Sequence, residues 1–129
     1  MAIEQGQYCI TLTAGADLSG SQYKFVELGA ALTCTVCNGA TDIPIGVLQN
    51  KPTSGMPAEV MVIGMTKVQG DAGLSVGALI GTSADGQADA KTVGTDTTEY
   101  VVGRVLEGTS NAAELATVLI NCAAPHRAA

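Results

Sequence analysis

Apolar and polar residues alternate along this chain in runs of four to eleven, and glycines fall between the runs. Such short runs suit strands better than amphipathic helices, which need a 3.6-residue period held over ten or more positions. The first run, Tyr8-Cys9-Ile10-Thr11-Leu12-Thr13, is rich in strand-forming residues. Gln22 to Leu28 is the second, with Tyr23, Phe25 and Glu27 on one face. Leu32 to Cys37 is the third, closed by the turn dipeptide Asn38-Gly39. Ile45 to Gln49 follows, and then a loop from Lys51 to Pro57 that carries two prolines and Gly55. The clearest run is Ala58 to Val68, long enough to bend, and Gly64 predicts a bulge within it.

Gly77 to Thr82 predicts a short strand before the Asp85-Gly86 turn, and the polar stretch from Gln87 to Thr98 predicts a loop. Glu99 to Glu107 and Leu115 to Asn121 form the last predicted pair. Asn111 to Ala116 has helical propensity, but it is short, and the β-branched run after it predicts a turn leading into a strand. There is also an internal echo. Ile45-Gly46-Val47-Leu48, a loop and Ala58-Glu59-Val60 resemble Val102-Gly103-Arg104-Val105-Leu106, a loop and Ala113-Glu114-Leu115. Either a hairpin is duplicated, which would suit a small barrel or sandwich, or similar β sequences coincide by chance. The pattern therefore predicts an all-β fold, a small β-barrel or β-sandwich of short antiparallel strands. An extended N-terminal arm over 1–7 precedes a single β domain over 8–122, and a flexible C-terminal tail over 123–129 follows it.

Composition narrows the function classes. At 129 residues the chain is one domain in size, and at 3% aromatic content its core must be filled by Val, Ile, Leu, Ala and Met. A thin core of that kind gains from a partner that covers apolar surface. The net charge of −6, with six basic residues scattered from Lys24 to Arg127, argues against nucleic acid and against an anionic membrane surface. No segment approaches the ~20 apolar residues of a membrane span. The N-terminus has no basic stretch followed by an apolar one, so synthesis in a cytoplasm with reduced thiols is expected.

Candidate chemistry is sparse. His126 is the only histidine and follows Pro125 in the expected tail, a poor place for a catalytic base. Cys34 and Cys37, with Cys122 and His126, could in principle form a Cys₃His zinc site. Against that, residues three apart in a strand point to opposite faces, and the two half-motifs lie far apart in the chain. The cysteines read instead as small apolar side chains near the core. No glycine-rich stretch ends in Gly-Lys-Ser/Thr, and Asp85, Asp89 and Asp96 sit where Asp is ordinary turn chemistry. No catalytic residue, metal site or cofactor is expected.

Several stretches resemble a bacteriophage family of capsid cement or head-decoration proteins. They are Asp17 to Val26, Ile45 to Pro52, Gly64 to Val68, Val102 to Glu107 and the closing run Leu115 to Asn121. The likeness spans nearly the whole chain, and its motifs are structural rather than chemical. It implies a non-enzymatic virion protein that binds the outer surface of the expanded capsid, with the major capsid protein as partner, commonly as a homo-trimer and in some relatives as a dimer. Another virion β module, such as a head fibre, tail-tube or adhesin domain, is the alternative. The residues expected to contact the capsid are Ala2, Ile3, Glu4, Gln5, Gly6 and Gln7, a charge-poor stretch directly before the first strand. The strand from Tyr8 to Thr13 is a candidate to augment a capsid sheet.

Overall fold

A computed structural model describes residues 7–129. The fold is all-β: eleven strands and, among the described residues, no helix. The strands are β1 (Tyr8–Ala14), β2 (Phe25–Leu28), β3 (Thr33–Val36), β4 (Gly46–Leu48), β5 (Pro57–Gln69), β6 (Leu79–Thr82), β7 (Ala88–Ala90), β8 (Tyr100–Val101), β9 (Gly103–Glu107), β10 (Leu115–Asn121) and β11 (His126–Arg127). Nine of them form one sheet in the order β1-β3-β2-β4-β5-β10-β9-β6-β7, and β1 also pairs with β5. That extra pairing closes β1, β3, β2, β4 and β5 into a five-stranded barrel. From β5 the strands β10, β9, β6 and β7 run out as an open sheet, and β8 and β11 form a separate two-stranded sheet.

Two cores follow from this division. Leu12, Ala14, Leu18, Val26, Cys34, Leu48, Ala58 and Val60 fill the barrel. In the cross-strand row Ile10↔Val60↔Leu48, Val60 and Leu48 lie in that set and the half-buried Ile10 packs against both cores. The neighbouring row Phe25↔Val47↔Met61 points out of the barrel into the larger core, with Val68, Ile80, Val105, Val118 and Ile120 of the open sheet. Phe25 is the only phenylalanine and is fully buried, so the largest apolar side chain joins the two units.

β5 belongs to both. Pro57 to Ile63 pairs with β1, and Ile63 to Gln69 pairs with β10, so Ile63 faces Tyr8 on one side and Asn121 on the other. The expected bulge is present but displaced. The register slips between Tyr8↔Ile63 and Cys9↔Met61, leaving Val62 as the extra residue. Met61 and Val62 are consecutive, yet both lie in the larger core. Gly64 keeps its pairing with Ile120, and its φ of 134° is the backbone conformation that only glycine adopts easily.

The two halves of the internal echo both form antiparallel pairs, β4 with β5 and β9 with β10, but in different registers: Val47 faces Met61, whereas Arg104, its counterpart in the echo, faces Leu119 rather than Ala116. Gly46 and Gly103 are similarly crowded: a Cβ on Gly46 would run into the Met61 carbonyl oxygen and the Val60 side chain, and one on Gly103 would meet the Leu119 carbonyl oxygen and the Ile120 side chain.

Four expectations need correction. The strands are not all antiparallel, because β1 and β3 run parallel through Thr13↔Thr33 and Ala14↔Cys34. The second strand starts at Phe25, since Tyr23 turns the chain with φ 64°. The stretch read as a loop contains β7, which pairs with β6. The segment read as a flexible tail carries β11 on β8, and Ala128 is fully buried with its N–H donating to the Glu99 carbonyl.

Candidate docking surface

Of the residues expected to contact a capsid, Ala2, Ile3, Glu4, Gln5 and Gly6 lie outside the described residues, and Gln7 is exposed immediately before β1. The four members of the hypothetical zinc set are not gathered. Cys34 is in the barrel core, Cys37 and Cys122 are in the larger core, and His126 is exposed on β11. The opposite facing of Cys34 and Cys37 matches the strand periodicity. Cys9 is exposed, and the other three cysteines are buried.

The structure does bring together a different cluster. Ligand atoms of Glu27, Cys37 and Asp42 lie within 4.8 Å of one another. Burial pushes the Cys37 thiol up to about 12, against a lowering hydrogen bond from Thr82 and with the Glu27 and Asp42 charges adding to the rise. Burial, followed by the hydrogen bond and charge of Asp42, raises the Glu27 carboxyl. Asp42 Oδ2 accepts the N–H groups of Asn38 and Gly39 at 2.9 Å each, which orders the turn after β3. Burial also pushes Cys122 up to about 12. Thiols that keep their protons so firmly are poor nucleophiles.

A second polar cluster surrounds Lys91, whose side chain is fully buried. Its Nζ donates to the Thr82 carbonyl at 2.9 Å, to Asp89 Oδ2 at 3.2 Å and to Glu99 Oε1. Three N–H groups meet three acceptors, so the ammonium is satisfied and ties β6, β7 and the approach to β8 together. Asp89 is thereby committed to an ion pair. Sequence reading missed this staple, because its members sit in a polar stretch without periodicity.

What the surface offers instead is apolar contact area. At one end of the barrel Leu28, Leu32 and Met56 are 58%, 76% and 53% exposed. The Thr13 N–H donates to the Leu32 carbonyl and the Ala14 N–H to the Met56 carbonyl, so both loops sit beside the end of β1. Leu32 holds φ 57°, a conformation that bulky residues avoid. On the outer face of the sheet, Tyr8, Ile63 and Leu119 are 59%, 37% and 50% exposed, on three adjacent strands. Large apolar groups held in water on strands and on the loops beside them suit docking.

No protein-family model matches the sequence, and no curated protein matches it. In three dimensions the chain is similar to the crystal structure of the N base of the head fibre protein gp8.5 of bacteriophage phi29. The two share 19% sequence identity and a TM-score of 0.64 over 91% of this chain and 96% of that one. At that identity the likeness establishes a shared fold.

Proposed function

We propose that the chain is a structural virion protein that binds the outer surface of a phage capsid and stabilises the expanded head. The observation that carries this reading is the full-length fold likeness to the base of a phage head fibre. The exposed apolar residues on strands and the loops beside them support it, as do clusters whose polar groups are satisfied among themselves rather than poised for reaction. In this reading the protein carries no reaction. It works by bridging neighbouring copies of the major capsid protein, as a homo-oligomer that is commonly a trimer. Linking several weak contacts in one oligomer makes the whole attachment strong. The stretch from Ala2 to Gln7 supplies one contact on the head.

The same fold likeness favours a second reading, in which the chain is the base of a head fibre rather than a separate cement subunit. Both place it on the head. Co-sedimentation of the purified protein with expanded, undecorated heads of its phage tests them together, and retention on the heads is expected. Head survival on heating, with and without the protein, separates the two. A cement subunit raises the temperature at which heads release DNA, whereas a fibre base leaves it unchanged. Deleting residues 2–7 is expected to weaken retention, and unchanged retention would remove the arm from the reading.

A further inference from the structure

We infer that the open edge of β1, between Tyr8 and Leu12, takes one extended strand of the shell protein to which the chain binds. This rests on the head-binding reading and assigns it a contact surface.

The direction of the main-chain groups follows from alternation along the strand. The Ala14 N–H donates to the Met56 carbonyl, which sets the even-numbered residues of β1 toward β5. The Thr13 N–H donates to the Leu32 carbonyl and the Gly15 N–H to the Cys34 carbonyl, which sets the odd-numbered residues toward β3. However, β3 reaches only Thr13 and Ala14. The N–H and C=O groups of Cys9 and Thr11 therefore face a gap in the barrel wall, with no partner among the described residues. Both residues are exposed. An edge with donors and acceptors in strand register is a template for another strand, and proteins usually cover or charge it. Among the described residues it is neither covered nor blunted by Lys or Pro.

The gap is also apolar at one end. Leu32 stands beside Thr13 in its left-handed conformation, 76% exposed, and Leu28 at the end of β2 is 58% exposed. A strand laid along Cys9 and Thr11 would have a leucine ledge at its end. Charge selects the occupant. The Glu59 carboxylate lies 3.5 Å from the Thr11 hydroxyl, and after burial its charge is the cause that raises the Cys9 thiol. A second copy of this chain, at net charge −6, brings like charge to that place. The fitting occupant is a foreign extended segment with Lys or Arg opposite Glu59 and an apolar side chain toward Leu32.

The test uses the whole protein and expanded, undecorated heads of its phage. Thr11→Pro removes the outward N–H of the edge and leaves the even-numbered ladder to β5 in place. Thr11→Ala keeps that N–H. Thr11→Pro is expected to bind heads at least roughly tenfold more weakly, the loss of one well-placed hydrogen bond and its neighbours, while Thr11→Ala binds like wild type. Because Thr11→Pro could fail to fold, the wild-type protein provides a second measurement. Cys9 is the exposed thiol among four. Its alkylation is expected to slow at least tenfold on head-bound protein. If wild type binds heads while Cys9 alkylates at the same rate bound and free, the edge assignment is overturned and the head reading stands. If wild type does not bind heads at all, both fall.

Discussion

The barrel and the open sheet each contain an antiparallel pair held close by a glycine, yet they solve the problem of a sheet's edge in different ways. In the barrel, Gly46 brings β4 close to β5, and five strands close into a ring around a core without an aromatic residue. In the open sheet, Gly103 brings β9 close to β10, but the sheet never closes and ends at β7, three residues long. A short last strand gives a neighbour little to pair with, and the buried Lys91 with its two carboxylates holds that end in place. Closure needs no charge, whereas an open end needs a staple. Among the described residues closure is incomplete beside Cys9 and Thr11, and that is the place to which we assign a partner.

The sharpest way to break this comparison is to ask whether the two units are separate. Phe25→Ala should cost about 3–5 kcal/mol, because the ring reaches from a barrel strand into the larger core. Urea unfolding should remain a single transition at a lower midpoint; two resolved transitions would mean that the barrel and sheet unfold independently. Next come the matched glycines. Gly46→Ala and Gly103→Ala each press a methyl group into a facing carbonyl, at a cost of about 1–3 kcal/mol. Gly46→Ala should be the worse of the pair, since strands in a closed ring cannot spread, and thermal melts of the two variants side by side would reveal an equal or reversed order.

Lys91→Met tests the staple. Removing one partner of a buried ion pair leaves charge without a counterion, but the Asp89 and Glu99 side chains are 39% and 20% exposed and can recover water. The loss should therefore be about 2 kcal/mol, and hydrogen exchange should rise in β6 and β7 before it rises in the barrel.

The smallest effect is a pH dependence with opposite signs in the two units. In the open sheet, hydrogen bonds from the Asn111 and Ser110 N–H groups lower the Glu114 carboxyl. Its contribution is present above the unfolded pKa and is lost as pH falls through the folded pKa. In the barrel, Glu27 is raised by burial and by Asp42, so its contribution is complete below the unfolded pKa and is lost as pH rises through the folded one. Glu114→Gln should flatten the acid side of the stability curve, and Glu27→Gln should flatten the rise-with-acid component. A change of slope in the same direction for both would contradict the assignment.

Much of this architecture can be read from residues. β1, β5 and β10 carry period-two alternation, which made their runs the clearest in the sequence. β7 was not legible because Ala88-Asp89-Ala90 has only small or charged side chains, and its pairing is made by the main chain. β11 is two residues long, too short for any period. The bulge lies at Val62 rather than Gly64 because it depends on where β1 begins, and no local signal records that. The candidate surface was legible in part. β1 was a foreseeable edge, but Leu32 reads as a strand residue in sequence and proves to be a turn residue held out into water. The Lys91 staple joins residues two and eight positions away across a polar stretch, where spacing says nothing about convergence.

The sharing of β5 also has a mechanical side. If the chain is fastened to a shell as proposed, internal pressure on that shell would pull on it. A load entering along β1 meets six cross-strand pairs to β5, and from β5 it passes to β10 through seven more. Antiparallel hydrogen bonds lie across the strand direction. A pull along the strands therefore loads them in shear, all at once, instead of opening them one after another like a zip. Under the proposed attachment through β1, the long central strand would act as a tie bar between that end of the molecule and the rest of it.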